Sequence, residues 1–287
     1  MEQIIYKEEL NRRLFILKTG NELNRYEKIY HHNITDVRKS NLDYRMNSEE
    51  AEIYSNCKND IYKFIDLFNI VPRDFQREWI NSYLEKRFNI MSISKQMGQD
   101  IFFSLIYLYK IYFNKKVIYY ISNKTSNIDK FIDTFKDFYI KLPFFLKPGV
   151  TIWNQKSIKF DNGASLNCYT RSKTLPIYDI DIFHIDNFAH IPSNIITDFY
   201  HNMISIVLTK LDNKLTITST FNGINLYYEL MSKARLDIEH PDKNIYHYIE
   251  TPYWKCPNRD KEWVKEIIEL HGEDYFRANY DFSFISK

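Results

Sequence analysis

Apolar and polar positions follow two different periods along this chain. Residues 49–69 place apolar side chains three and four positions apart, which predicts an amphipathic helix, and Ser48 is the predicted cap at its start. Pro72 predicts the end of that segment. Residues 1–50 are charge-rich and weakly periodic, so we predict helices and irregular loops there, forming a lead-in.

From residue 73 onward, helical and strand patterns alternate. Helices are predicted at 73–87, 100–113, 127–140 and 192–209, and strands at 88–93, 117–121, 180–185 and 214–219. Such alternation indicates a mostly parallel sheet flanked by helices. Short strands are predicted at 151–153, 157–160 and 165–169, and Asp161-Asn162-Gly163 predicts a hairpin turn because Asn-Gly accommodates positive φ. We therefore expect an α/β fold with a small inserted β-hairpin region.

Composition narrows the class of protein. The 287 residues carry a formal net charge of +2, so a nucleic-acid surface would have to be local. The three cysteines are far apart and lack metal-type spacing, which favours a reducing compartment. No signal peptide and no apolar run of membrane-spanning length is recognisable, so we expect a soluble protein without membrane contact.

The segment after the predicted strand 88–93 has the position and shape of a phosphate-binding loop. It reads Ser94-Lys95-Gln96-Met97-Gly98-Gln99-Asp100 and precedes a predicted helix. In doubly wound sheets, ligands bind beyond the carboxyl ends of the strands. A P-loop needs Lys and then Ser/Thr after its last glycine, to hold the terminal phosphates and Mg²⁺. Gln99 and Asp100 occupy those two positions.

Two further strands end in polar residues. The apolar stretch 182–185 runs into Asp186-Asn187, as in a Walker B element, and the stretch 216–220 ends in hydroxyl side chains before a turn. Each loop alone is a weak signal, because an apolar run followed by a polar turn is common. We interpret His184, inside the first of these strands, as a buried core histidine and not a ligand.

In order and spacing, these loops together resemble one family, the ATPase domain of the large terminase subunit of T4-type tailed phages. The family's P-loop typically reads S-R-Q-x-G-K-T and its coupling motif T-T-P-N-G. The resemblance covers about residues 57–285 and includes, besides those loops, the Gln-motif-like segment 73–78, the linker 142–149, the stretch 153–165 around Trp153-Asn154 and Asn162-Gly163, and the tail with Trp254 and 274–284.

The resemblance implies a P-loop NTPase fold of the ASCE/RecA-like type and assigns roles by position. The nucleotide-binding candidates are Arg73, Gln76, Ser94, Lys95, Gln96, Met97, Gly98, Gln99 and Asp100. The coupling candidates are Thr218, Ser219, Thr220, Asn222 and Gly223. Asp186 is the candidate Mg²⁺ ligand, and Asp186 with Asn187 holds the position of the catalytic acid pair.

The departures from the family pattern concern the catalytic groups. Gln99 supplies no cation to the phosphates, and Asp100 places a negative charge beside them, which is repulsive unless a metal intervenes. The family's Asp-Glu pair becomes Asp186-Asn187, and an amide cannot act as a base or orient water as a carboxylate does. The family's candidate arginine finger has no counterpart, since the stretch 173–178 contains no arginine.

These linked changes predict a terminase-like protein of viral DNA packaging or virion assembly whose ATP hydrolysis is lost or strongly reduced. Each such group typically contributes roughly 10²- to 10⁵-fold to the rate. One alternative is an active, deviant packaging motor in which Lys95 is the phosphate-binding cation. Another is a helicase-like ATPase outside packaging, against which the terminase-type stretch 153–165 argues. ATP and Mg²⁺ are the expected cofactors if binding is retained, and otherwise none is expected.

The resemblance also implies partners and organisation. Double-stranded DNA, the portal and other terminase or virion subunits are expected partners, in a homo- or hetero-oligomer, located in the cytoplasm of the infected host cell or on the virion. We predict a lead-in over residues 1–50 and an ATPase-like domain over 51–287. The family's large subunit usually continues into an RNase H-like nuclease domain, and because this chain stops at Lys287, none is expected here.

Overall fold

The structure, a computed structural model, describes residues 46–170, 180–236 and 245–282. The chain divides into two compact units. The described part of the first comprises residues 46–71, 104–117 and 131–167, and that of the second 72–103, 118–130, 168–170, 180–236 and 245–282. The proposed lead-in lies outside the described residues up to residue 45, so the domain boundary near residue 50 stays a prediction.

The helices and strands, in chain order, have the following bounds. The helices are α1 (Ser48–Asn59), α2 (Ile61–Asp66), α3 (Asp74–Glu85), α4 (Gln99–Asn114), α5 (Thr125–Lys141), α6 (Ser193–Val207), α7 (Leu226–Leu236), α8 (Lys261–His271) and α9 (Glu273–Phe276). The strands are β1 (Phe88–Ile93), β2 (Val117–Ser122), β3 (Val150–Trp153), β4 (Ser157–Phe160), β5 (Ser165–Thr170), β6 (Ile182–Asp186), β7 (Lys214–Ser219) and β8 (His247–Thr251). Short 3₁₀ turns occur at Phe144–Leu146, Phe188–His190 and Tyr253–Lys255, and a π-helical turn at Arg277–Asp281.

A parallel sheet forms the centre of the second unit. Strand β2 pairs with β6, β6 with β7, β7 with β1, and β1 with β8, all in parallel. Every residue of β1 and β6 is buried, as expected for strands covered on both faces. Trp79 and Tyr83 of α3 are fully buried, and the Trp79 indole donates a 2.9 Å hydrogen bond to the Thr251 hydroxyl at the end of β8. The predicted α/β architecture is thus present.

The first unit contains the inserted strands. Strands β3, β4 and β5 pair antiparallel in sequence order, and Gly163 has φ of +89° in the turn between β4 and β5. The Asn162 side chain donates a 2.9 Å hydrogen bond from its amide nitrogen to the Ile111 carbonyl and accepts one from Ala164 N–H at 2.9 Å. The hairpin predicted from Asn-Gly is therefore confirmed, and its asparagine also ties the turn to α4.

The segment before Pro72 differs from its prediction in two ways. Instead of one helix over 49–69, α1 ends at Asn59, and Asp60 adopts an extended conformation with φ of −139° and caps α2 by accepting from Tyr62 N–H at 2.8 Å. The cap of α1 is Asn47 and not Ser48, because Asn47 and Glu50 form a reciprocal capping box. Apolar spacing alone did not reveal the break.

Candidate functional site

The strand register brings three polar side chains of the second unit together. Ser122 of β2 lies beside Asp186 of β6, and Asp186 lies beside Thr218 of β7. Because register partners in a parallel sheet point to the same face, these groups meet at the carboxyl edge. The Asp186 carboxylate accepts a hydrogen bond from Thr218 at 3.0 Å and one from Ser122 at 3.3 Å. The sequence-predicted strand ends therefore form one polar cluster.

The loop between β1 and α4 has free backbone donors. Gln96 has φ of +61° and Gly98 φ of +84°, and both lie in the left-handed region. The N–H groups of residues 96–100 donate no hydrogen bond to any residue that the structure describes. Successive free N–H groups around left-handed residues, at the start of a helix, make a concave arrangement that favours anions. The backbone of a phosphate-binding loop is thus retained.

A buried glutamine supports this loop from α3. The amide nitrogen of Gln76 donates to the Met97 carbonyl at 3.0 Å, and its oxygen accepts from Arg73 N–H at 2.9 Å. A Cβ atom at Gly98 would lie 3.3 Å from that amide nitrogen, so glycine permits the close approach. The sequence interpretation placed Gln76 and Arg73 at adenine, but the Gln76 amide is engaged with the loop itself, and Arg73 is exposed with a guanidinium nitrogen 3.3 Å from Cys256 Sγ.

The C-terminal part of the second unit holds the other end of the loop. Ser94 N–H donates to the Thr251 carbonyl at 3.0 Å, and Ser94 Oγ donates to the Tyr280 carbonyl at 2.6 Å. Arg259 donates from Nη2 to the carbonyls of Lys95 at 2.7 Å and Gln96 at 3.2 Å. Carbonyls held in this way leave the loop's N–H groups as the donors available to a ligand.

Gln99, at the position of the family's lysine, binds Asp186. Its amide nitrogen donates to Oδ1 of the Asp186 carboxylate at 2.9 Å. Burial raises the pKa of Asp186 and the nearby Asp100 raises it further, whereas hydrogen bonds from Thr218, Gln99 and Tyr120 act in the opposite direction. The amide of Gln99 thus helps satisfy a buried carboxylate and brings no positive charge to the loop.

Asp100 has a counter-charge that sequence reasoning did not find. Its carboxylate lies 2.7 Å from the ammonium of Lys130 on α5. The Asp100 side chain is 20% exposed and that of Lys130 is 74% exposed, so the ion pair lies at the surface edge of the site. The repulsion that we expected between Asp100 and a phosphate is offset by this ammonium.

Asn187 occupies a position that suits its backbone preference. It has φ of 54° and ψ of 39°, a left-handed conformation that asparagine tolerates better than most residues. Its amide nitrogen donates to Oδ2 of Asp186 in a short hydrogen bond. The side chain is therefore a donor directed at the neighbouring carboxylate, in the place of the family's catalytic acid.

The ammonium of Lys95, the candidate substitute cation, contacts an aromatic ring. Its Nζ lies 4.7 Å from the centroid of the Tyr275 ring and 3.2 Å from the Tyr275 hydroxyl. Lys95 and Lys124 also lie close enough to His190 to lower the pKa of that imidazole, after the larger effect of its burial. Positive charge therefore gathers beside the loop, although the cation of Lys95 is directed to Tyr275.

The coupling candidates lie against the turn that follows Asp186. Ser219 Oγ accepts from Ala189 N–H at 3.0 Å, and Thr220 Oγ1 lies 2.9 Å from His190 Nε2. Asn222 donates to the Ala189 carbonyl at 3.0 Å, and Gly223 has φ of +73° in the turn. A displacement of the turn after β6 would thus be felt directly by the end of β7.

His184 is a core residue, as interpreted from sequence. It is 1% exposed, its Nε2 lies 2.9 Å from Thr218 Oγ1, and burial lowers its pKa to about 3. Because the Thr218 hydroxyl donates to Asp186, His184 Nε2 is assigned as the donor to Thr218. The neutral imidazole therefore orients Thr218 toward the carboxylate.

The donor set does not fit the Mg²⁺ that the fold family implies. Oδ1 of Asp186 already accepts from Thr218 and Gln99, and Oδ2 accepts from Ser122 and Asn187. A hydrogen bond to a charged group contributes about 1.5–3 kcal/mol, so a metal that replaced these donors would have to offset several kcal/mol. The hydroxyl ligand expected on the helix is replaced by Asp100, whose carboxylate is paired with Lys130. Among the described residues, no cluster of three or more His, Cys, Asp and Glu side chains suits a metal.

Two functional candidates, Lys130 and Arg259, had no signal in the sequence. Lys130 lies on an exposed helix position, and Arg259 lies in a turn, where neither periodicity nor a motif marks them. A search for partners of the unusual Asp100 would have been the only route to Lys130. The arginine-free stretch 173–178 lies outside the described residues. In the described part of the chain, no helix combines the length and apolarity needed to span a membrane.

Solved structures share this fold. The ATPase domain of the Thermus phage P74-26 large terminase matches with a TM-score of 0.63 and 16% identity, over 76% of this chain and 96% of that chain. The bacteriophage HK97 large terminase matches with a TM-score of 0.58 and 13% identity, over 74% of this chain and 50% of that chain. The large terminase of another, thermophilic bacteriophage matches with a TM-score of 0.53 and 12% identity, over 74% and 53%, and its structure in complex with ADP with 0.50 and 10%, over 73% and 52%.

The expected fold class is thereby confirmed, as an α/β fold of the RecA-like P-loop type shared with terminase ATPase domains. The sequence profile of the family described as "Terminase large subunit, T4likevirus-type, N-terminal" matches residues 90–287, which is more than half of the chain. The resemblance noted in the sequence is confirmed as well, and the chain belongs to the T4-like-virus type of large terminase subunits, matching the N-terminal part of that family.

Proposed function

We propose that this chain binds nucleotide phosphates at the loop over residues 94–100 but has lost, or strongly reduced, the hydrolysis of ATP. The observation that carries the proposal is the 2.9 Å hydrogen bond from Gln99 to Asp186. It places a neutral amide where the family has the phosphate-binding lysine and ties up the carboxylate that would hold the metal. The protein would act in viral DNA packaging or virion assembly as a terminase-like subunit without its own turnover.

Retained phosphate binding is supported by the loop backbone. The free N–H groups of residues 96–100 require no particular side chain, so the losses at Gln99 and Asp100 leave them intact. Arg259 and Gln76 hold the loop carbonyls and thereby maintain its shape. The large terminase of the thermophilic bacteriophage, which shares the fold, has been solved in complex with ADP.

Lost hydrolysis is supported by the groups around Asp186. Asn187 donates to Asp186 and has no basic atom to orient a water molecule. Gln99 supplies no charge to stabilise the transferred phosphoryl group, and such charges are usually among the largest contributions to catalysis. Because the two changes affect one reacting centre, restoring either alone would not restore activity.

The test is a steady-state measurement of ATP hydrolysis by the full chain with Mg²⁺, with and without linear double-stranded DNA. We expect no turnover above the buffer background in either condition, while calorimetry with ADP detects binding. Hydrolysis stimulated by DNA would contradict the lost activity. Absence of ADP binding by folded protein would contradict the retained phosphate site.

The same assay tests the active-motor alternative through two matched variants. Lys95→Ala removes the candidate cation of the loop, and Lys124→Ala removes an exposed ammonium near the same imidazole, His190. If turnover exists and only Lys95→Ala abolishes it, Lys95 is the phosphate cation and the chain is an active enzyme. Its present contact with Tyr275 means that Lys95 would first have to leave that ring.

The proposed partners follow from family membership. Large terminases of this family belong to phage DNA-packaging machines, so we propose double-stranded DNA, the portal and other terminase subunits as partners, in the cytoplasm of the infected cell. An inactive subunit would contribute structure or binding, in a homo- or hetero-oligomer with an active copy. Co-purification with an active large terminase and the portal from infected cells checks this, and its absence from both would count against it.

A further inference from the structure

We infer that the phosphate site works without a divalent metal, because an ammonium of the protein takes the place that Mg²⁺ has in related loops. This inference rests on the proposed retention of phosphate binding. It extends that proposal by naming the ligand form, which is a nucleotide not complexed with Mg²⁺. Three observations at the loop carry it.

The first observation is the position of Asp100. In a P-loop of the usual composition, a Ser/Thr hydroxyl at this point of the helix holds the Mg²⁺ that bridges the phosphates. Asp100 is the second residue of α4, and its carboxylate is 2.7 Å from Lys130 Nζ. The carboxylate thereby fixes a monovalent cation next to the loop, at the level where the metal would be held.

The second observation is the saturation of Asp186. Its two carboxylate oxygens accept hydrogen bonds from Thr218 and Gln99 on one side and from Ser122 and Asn187 on the other. Asp186 is 3% exposed, so these donors, and not water, satisfy it. A metal with its hydration shell would have to displace amide donors that lie on both flanks of the carboxylate.

The third observation is that the amide substitutions complete one another. Gln99 and Asn187, at the positions of the family's lysine and glutamate, both donate to Asp186. The buried carboxylate is therefore stabilised by neutral donors from two loops, and no cation is needed to balance it. Lys130 is then the cation left to face an incoming phosphate, with Asp100 as its anchor.

The closing experiment measures the dissociation constant of ADP for the full chain by calorimetry, once with EDTA and once with excess Mg²⁺. We expect the two values to agree within about fivefold. ADP that binds more than about fivefold tighter with Mg²⁺ would overturn the inference and leave the proposed function standing. Binding in neither condition would instead refute the proposed function.

Two variants assign the effect to residues. Lys130→Ala should weaken ADP binding in EDTA by about tenfold, whereas Lys141→Ala, which removes an exposed lysine from the other end of α5, should change it by less than about twofold. Equal affinities of Lys130→Ala and the unmodified chain in EDTA would count against the role of the ammonium. Thermal unfolding verifies that both variants are folded.

A reciprocal variant tests the same idea from the metal side. The double substitution Gln99→Lys with Asp100→Thr restores the family's residues and frees Asp186 from one donor. We expect ADP binding by this variant to tighten at least about fivefold on addition of Mg²⁺. If it stays as insensitive to Mg²⁺ as the unmodified chain, these two side chains are not the reason for metal independence, and the inference fails.

Discussion

The guanidinium of Arg259 donates to the carbonyl of Lys95 at a distance of 2.7 Å and thereby ties the turn before α8 to the start of the phosphate loop. The same nitrogen contacts the Gln96 carbonyl at 3.2 Å. The guanidinium carbon lies 4.8 Å from the Trp263 ring centroid and 5.5 Å from that of Tyr280. Arg259 is 8% exposed, and this burial lowers the pKa of its guanidinium.

Removing this support should destabilise the protein. Arg259→Met keeps much of the apolar volume but loses two charge-assisted hydrogen bonds, so we expect the free energy of unfolding to fall by about 3 kcal/mol. Arg235→Met is the matched control, because Arg235 is half exposed and lies 3.9 Å from Glu250 in a pair that should contribute less than about 1 kcal/mol. Urea unfolding measures both, and equal losses would contradict the role of Arg259.

Gly98 should be less replaceable than another glycine with the same backbone conformation. Gly98 and Gly272 have φ of +84° and +87°, but only at Gly98 would a Cβ approach a neighbour, the Gln76 amide, at 3.3 Å. Both alanine variants should lose about 1–2 kcal/mol through backbone strain. Gly98→Ala should additionally weaken ADP binding, because its loop must shift. Calorimetry that finds both variants equally competent would argue against this loop as the site.

The left-handed backbone of Asn187 predicts an ordering of two variants. Asn187→Ala and Asn187→Gly both lose the hydrogen bond to Asp186, but only alanine also strains the conformation with φ of 54°. We therefore expect Asn187→Gly to be more stable than Asn187→Ala by about 1 kcal/mol. Chemical unfolding of the pair checks this ordering, and the reverse ordering would show that the turn after β6 relaxes in the variants.

The buried imidazole of His184 predicts a dependence of stability on pH. Burial lowers its pKa from 6.5 to about 3, so between these values the unfolded state binds the additional proton. This contribution to stability is complete above pH 6.5 and is lost as the pH falls toward 3. From pH 7 to pH 5, the loss from His184 alone should be about 2 kcal/mol.

His184→Gln removes the titrating group and keeps a side chain that can donate to Thr218. Its free energy of unfolding should therefore fall about 2 kcal/mol less than that of the unmodified chain between pH 7 and pH 5. Urea unfolding at the two pH values gives the comparison. Parallel losses in both proteins would mean that His184 is protonated without unfolding.

Local patterns were sufficient for most of the sheet. Strands β1 and β7 have the bounds predicted from their apolar runs, because turn residues delimit them on both sides. Strand β8 was not predicted, since its sequence His-Tyr-Ile-Glu-Thr has no apolar run and its pairing with β1 supplies the stability. The break at Asp60 was missed for a related reason, because one capping side chain interrupts a continuous apolar stripe.

The sequence by itself determined the order of helices and strands, the loop at residues 94–100 and the membership in the terminase family, because these depend on local periodicity and on motifs read in chain order. Only the tertiary structure decided what the unusual residues do. The partner of Asp100 is Lys130 on another helix, Gln99 reaches Asp186 on another strand, and Lys95 reaches Tyr275 near the C-terminus. Such contacts join residues far apart in the chain, and they follow from strand order, register and helix packing, which no local pattern encodes.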